Sequence, residues 1–159
     1  MHTSTQISDW ILSKTNTDAG DTISPLKLQK LLYYCQAWNL TIFDKALFCE
    51  NIEAWAHGPV VPSQYARFAD INRTDRIEIS KIDLSPAILD DNSDKLLNEV
   101  LYLYGEHSAS YLEALTHQED PWIKARNGIK SWERSNEVIT HESMIEYYSK
   151  LRDNGGKPS

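Results

Sequence analysis

Phe48 to Tyr65, FCENIEAWAHGPVVPSQY, sets an aromatic, amphipathic run against two proline-bearing breaks, Gly58-Pro59 and Pro62-Ser63. Gly58 can take backbone conformations closed to other residues, while Pro59 and Pro62 fix their own φ and bias Gly58 and Val61 toward extended geometry. The segment is therefore expected to hold one shape. Trp55, His57 and Tyr65 bracket the turn and combine apolar bodies with polar tips, the side-chain type that serves partly buried or partner-facing surfaces. Two readings follow: a presented surface, or a corner of the core.

Around this corner the chain has the proportions of one domain. Its 159 residues match the size at which a chain buries most of its unfolded surface without disulfide or metal staples. Residues 1–152 are expected to form a single helical domain, with residues 153–159 as a flexible tail. A hydrophobic share of 41% with 25% charged residues excludes disordered and fibrous classes. The net charge of -7 disfavours attraction to nucleic acid phosphates or anionic lipid and suits a neutral or basic protein partner. No stretch approaches the roughly 20 apolar residues of a membrane span, and MHTSTQISDW has no basic region leading into an apolar core, so a soluble cytoplasmic protein is expected. Cys35 and Cys49 are the two cysteines, too few for a disulfide scaffold.

Periodicity places helices over most of the length. Ile7, Trp10 and Ile11 share one face of a short helix that ends at the polar stretch Thr15 to Thr22. Ser24-Pro25 supplies an N-cap followed by proline at the first helical position, and Leu28, Leu31, Leu32 and Cys35 follow at helical spacing, with Lys27, Lys30 and Tyr34 on the opposite face. Asp44 to Trp55 is too brief in its apolar runs to decide between strand and helix. Ser63 to Asp70 reads as helical. Ile77, Ile79 and Ile82 alternate with Arg76, Glu78 and Lys81 as in a short edge strand. Ser93 is the expected cap of a helix bearing Leu96, Leu97, Val100, Leu101 and Tyr104 and stopped by Gly105. Ser110 and Glu113 have capping-box spacing, Asp120-Pro121 opens a further helix closed by Asn127-Gly128, and Thr140 begins the last. The fold class expected is mainly α: a compact single domain of about six or seven short helices with at most a small β-hairpin.

Catalytic constellations find little support. The five histidines and two cysteines lack the closely spaced ligand pairs that zinc needs. Cys35 could pair with His57 or His117 as a nucleophile, but it lies on the core stripe, where a cysteine serves as a small hydrophobe. The six glycines are scattered and build no phosphate loop. Lys124, Arg126, Lys130 and Arg134 interleave with Trp122 and Trp132, a pattern that can bind nucleic acid or an acidic surface, or form a solvated face. No catalytic, cofactor or metal residues are assigned. Tyr33, Trp55, His57, Pro59 and Tyr65 are the candidate partner-binding residues, because rigid aromatics make interface anchors.

Leu28-Gln29-Lys30-Leu31-Leu32-Tyr33, Glu53-Ala54-Trp55 with His57-Gly58-Pro59-Val60, Pro62 with Tyr65, Tyr104-Gly105, Ser108, Leu112, Thr116-His117 and Pro121-Trp122 together resemble the Panacea-domain, SocA-like antitoxins, older members of which were called phage-associated proteins. The resemblance runs from about Ser24 to Arg126, and its EAWxHGPVxP element is the specific part. It implies a helical antitoxin, encoded beside a small toxin, that neutralises that toxin by direct binding, with a Clp-type protease as a further partner for which the antitoxin acts as adaptor. It supplies no catalytic residues. The alternatives are a nucleic-acid-binding regulator using the Lys124 to Arg134 patch and a small enzyme with a site around His57 and His117.

Overall fold

The computed structural model describes residues 1–159. Its axis is a helix, α2, spanning Pro25–Phe43. Ser24 Oγ accepts the Lys27 amide at 3.2 Å to open it, with proline in the first turn, and Asp44 closes it in a left-handed conformation with φ 54°. Every residue from Leu28 to Leu40 is buried. The expectation of two unlike faces is therefore corrected: Lys30 and Tyr34, placed on the side opposite the apolar stripe, are as buried as Leu28 and Leu32. The reason is that other elements pack against α2 on all sides, so each polar group it carries must find a partner inside the protein.

Those elements are α1 (Ser4–Ser13), a hairpin of β1 (Glu53–Trp55) and β2 (Gly58–Val60), α3 (Pro62–Arg67), α4 (Asp91–Tyr104), α5 (Ala109–Thr116), α6 (Asp120–Arg126) and α7 (His141–Asp153). Thr3 and Gln6 form a capping box at α1. The seven helices and single two-stranded sheet make the fold mainly α. No helix is long and apolar enough to cross a membrane.

Three local expectations are corrected. Asp90, not Ser93, caps α4, its Oδ1 accepting the Ser93 amide at 2.8 Å, while the Ser93 hydroxyl donates to Asn39 of α2. Ser108, not Ser110, caps α5 through the Tyr111 amide at 3.1 Å, because Glu113 turns away toward His57. Around Ile77 to Ile82 no strand forms. The Ile77 amide reaches Ile23 O, no neighbouring strand pairs with the segment, and Ile79–Lys81 closes into a single 3-10 turn. The hairpin lies instead at the corner, in antiparallel register Glu53 to Val60, Ala54 to Pro59 and Trp55 to Gly58. The connection before α7 flanks its outer side, with the Ala54 amide donating to Glu137 O and the Ile139 amide to Ile52 O, both at 2.8 Å. At the end of the chain the Gly156 amide returns to Leu151 O, Pro158 is buried and the Ser159 amide meets Glu99 Oε2 at 3.1 Å.

Candidate partner-binding surface

The corner is held from inside by side chains of three helices. Gly58 has φ +103°, and a Cβ there would stand 2.8 Å from Lys30 Cε and 2.9 Å from Thr116 Oγ1, so both the conformation and the space demand glycine. Lys30 donates from Nζ to Pro59 O at 2.9 Å. One turn earlier, the Gln29 amide pairs with the backbone of Val61, accepting its N–H at 2.8 Å and donating to its C=O at 3.2 Å, as a neighbouring strand would. From α6, Arg126 Nη1 donates to Ala54 O at 2.9 Å and Trp122 Nε1 to Trp55 O at 2.8 Å. Burial pulls the Lys30 ammonium down to about 7, with the charge of Glu113 opposing the shift, because the group it donates to is a neutral carbonyl instead of a carboxylate.

What this scaffold turns outward is a small aromatic and acidic face. The Trp55 and Tyr65 rings meet edge to face, centroids 4.9 Å apart and planes at 64°. Tyr65 is 50% exposed and Trp55 half-buried. Glu53 shares the Trp55 side of β1, because strand side chains alternate, and its Oε1 accepts the Trp55 indole N–H at 2.8 Å. His57, at the hairpin tip, meets Glu113 Oε1 through Nδ1 at 3.1 Å. Val138, opposite Glu53, is exposed on the flank.

The candidate residues therefore divide. Trp55, His57 and Tyr65 are brought to the surface around one turn, whereas Tyr33 and Pro59 are buried. Tyr33 sits in an aromatic cluster, edge-on to Tyr34 at 5.2 Å and to Tyr148 at 6.2 Å. That cluster encloses Glu119, whose Oε1 accepts the hydroxyls of Tyr34 at 2.7 Å and Tyr148 at 2.9 Å. Burial raises the Glu119 carboxyl to about 7 against the opposing pull of the two hydroxyls. Glu53, Gln29, Lys30 and Glu119 were not among the candidate site residues. The visible signal was the pair of polar residues Gln29-Lys30 inside an otherwise apolar run, since a polar group at a core position implies a specific buried partner.

The competing chemistries fare differently. His117 is only partly exposed; it stacks on Trp122 at 4.0 Å, and burial lowers its pKa. Cys35 is fully buried and burial pushes its thiol well up, the opposite of an activated nucleophile. Arg126 is lost from the basic patch. It is buried, lies over the Trp122 ring at 4.8 Å, and besides Ala54 O its Nη2 reaches Lys130 O and Glu133 O. Lys124 and Lys130 thus flank a structural arginine instead of continuing a cationic row.

A family model described as "Antitoxin SocA-like, Panacea domain" matches residues 28–123, from the start of the buried part of α2 to the middle of α6. Among curated proteins, antitoxin SocA of Caulobacter vibrioides is 35% identical over 116 residues, which take in 67% of this chain and 61% of that protein. The chain thus spans about three fifths of the length of that relative. No solved structure matches the chain significantly.

Proposed function

The chain belongs to the SocA-like, Panacea-domain antitoxin family, and from that premise we propose that it neutralises a cognate toxin protein by direct binding, without bond-making chemistry of its own. The contact face is the exposed side of the corner, Trp55, His57 and Tyr65, with Pro59 buried behind it on Lys30 and Tyr33 buried in the aromatic cluster of the core. The observation that carries this reading is an aromatic pair at the surface, Tyr65 half-exposed and Trp55 half-buried, on a backbone fixed from within by Gln29, Lys30 and Arg126. Anchors that are rigid before docking lose little conformational entropy on binding, and aromatic residues dominate interface energetics.

Co-expression with the product of the adjacent reading frame tests it. That product should arrest growth alone, grow normally beside this chain, and co-purify with it. Tyr65→Ala, which removes a half-exposed side chain that makes no hydrogen bond, should weaken the complex by about tenfold or more, while loss of its edge-to-face contact with Trp55 lowers the melting temperature by only a few degrees. An unaffected complex would move the contact elsewhere on the molecule. The same binding would allow the antitoxin to present its toxin to a Clp-type protease. A shorter toxin half-life in the presence of both chain and protease is the expected result, and an unchanged one removes the adaptor role.

A further inference from the structure

We propose that Glu53, Trp55 and Tyr65 form a subsite for a cationic side chain, arginine above lysine, projected by the protein partner; this rests on reading the corner as the partner-binding face. The starting point is an unmatched charge. Glu53 Oε1 accepts the Trp55 indole N–H, which leaves Oε2 with no donor from the chain, and Glu53 takes part in none of the ion pairs of the molecule. A carboxylate fixed by a neighbouring indole and only partly exposed is a directed acceptor instead of a freely rotating surface charge.

The aromatic rings point the same way. Trp38 is enclosed in the core, its indole donating to Tyr104 at 3.0 Å. Each remaining tryptophan except Trp55 already carries a cation of this chain: Lys14 stands 5.2 Å from the Trp10 ring, Arg126 4.8 Å from Trp122 and Lys130 5.4 Å from Trp132. Trp55 and its neighbour Tyr65 have none. Their planes meet at 64°, so the pair itself covers the face of one ring only, and Tyr65 is 50% exposed. A guanidinium fits both halves: its plane stacks on an aromatic face while its fork donates to a carboxylate. The ammonium of lysine can satisfy the acid but cannot lie flat on the ring. Of the basic groups at the hairpin, Arg126 and Lys30 are buried beneath it on backbone carbonyls and His57 is engaged by Glu113, and the net charge of -7 draws cationic rather than anionic partners.

Two measurements test the subsite. In the first, N-acetylarginine amide is titrated into the nitrogen-labelled protein, with the Trp55 indole signal assigned through Trp55→Phe. That signal should move saturably, N-acetylglutamine amide should leave it in place, the lysine analogue should bind more weakly, and Glu53→Gln should weaken arginine binding by about tenfold. Glutamine can still accept the indole N–H, so the fold is retained and melting should not change. An unmoved Trp55 signal, or equal affinity in wild type and Glu53→Gln, overturns the subsite. In the second, the affinity of the neighbouring-frame product is compared between wild type and Glu53→Gln. A loss of about tenfold, lessened at high salt, is expected. Undiminished binding overturns the subsite and spares the antitoxin reading. Conversely, failure of wild type to bind that product while the arginine amide still binds sinks the antitoxin reading alone.

Discussion

A methyl group at Gly58 would collide with Lys30 Cε and Thr116 Oγ1 and would also have to adopt a φ of +103°. Strain in that region costs about 1–3 kcal/mol and overpacking a similar amount. Gly58→Ala should therefore lower unfolding free energy by about 2–6 kcal/mol, read from the urea midpoint. Gly20 and Gly128 also have positive φ, but nothing lies within 4 Å of a Cβ built there. Alanine at those positions should cost no more than the backbone strain. The contrast isolates what is special about the corner: its glycine lets a lysine side chain and a threonine hydroxyl approach the backbone.

At the level of elements, the corner is tied to its helices by side chains that imitate a strand. Gln29 pairs with both backbone groups of Val61, and Gln36 repeats the device two turns later, accepting the Leu47 amide at 2.7 Å and donating to Phe48 O at 2.8 Å. Replacing Gln29 by Ala leaves the buried N–H of Val61 unpaired, at about 1–3 kcal/mol, while its C=O still accepts the Gln64 and Tyr65 amides. Hydrogen exchange at the Val61 amide should accelerate with the loss of stability, while exchange at the Leu47 amide, still held by Gln36, should change less. Arg126 is the second tie. Its guanidinium bonds β1 through Ala54 and the loop after α6 through Lys130 and Glu133. Lys in its place has no planar fork with which to span these carbonyls, so Arg126→Lys should expose residues 127–137 to limited proteolysis before the helices yield. The expected strand at Ile77 failed at this scale for a simple reason. Alternation describes which way side chains point, but a strand also needs a neighbour to pair with, and Ile77 finds only a single backbone bond to Ile23 O.

For the whole molecule, two buried ionisable groups shape stability against pH. Glu119 is raised from 4.5 to about 7, so the folded state holds a proton that the unfolded chain has released. Its contribution is complete below pH 4.5 and is lost as pH rises toward 7. Lys30 is lowered from 10.5 to about 7, so its contribution is present above pH 10.5 and is lost as pH falls toward 7. Together they put a dip in stability near pH 7. Glu119→Gln keeps an acceptor for Tyr34 and Tyr148 and should flatten the limb between pH 4.5 and 7 by ~3 kcal/mol, from a shift of about 2.5 pKa units. Lys30→Met should flatten the limb above pH 7 and leave the lower one intact. Urea midpoints measured across this range decide both, and a curve for either variant that parallels wild type contradicts the assignment.

Features whose causes lie within a few residues were legible in the chain. These were the Ser24-Pro25 and Thr140 helix starts, the Asn127-Gly128 stop, the predominance of helix, and a rigid aromatic turn at Gly58-Pro59 within a family-specific motif. Near misses such as Ser93 for Asp90 arose where two capping residues stand three apart and only tertiary contacts, here Ser93 to Asn39, choose between them. Tertiary structure alone decided which members of the motif face outward. α2 is enclosed on every side, and a fully buried helix has no polar stripe to betray its orientation, so Tyr33 and Lys30 looked no more buried than a surface residue would. The partners that settle their roles lie far along the chain, Lys30 with Pro59 across 29 residues, Arg126 with Ala54 across 72 and Tyr34 with Glu119 across 85. Periodicity reads neighbours on one element, whereas these bonds exist only once separate elements have packed.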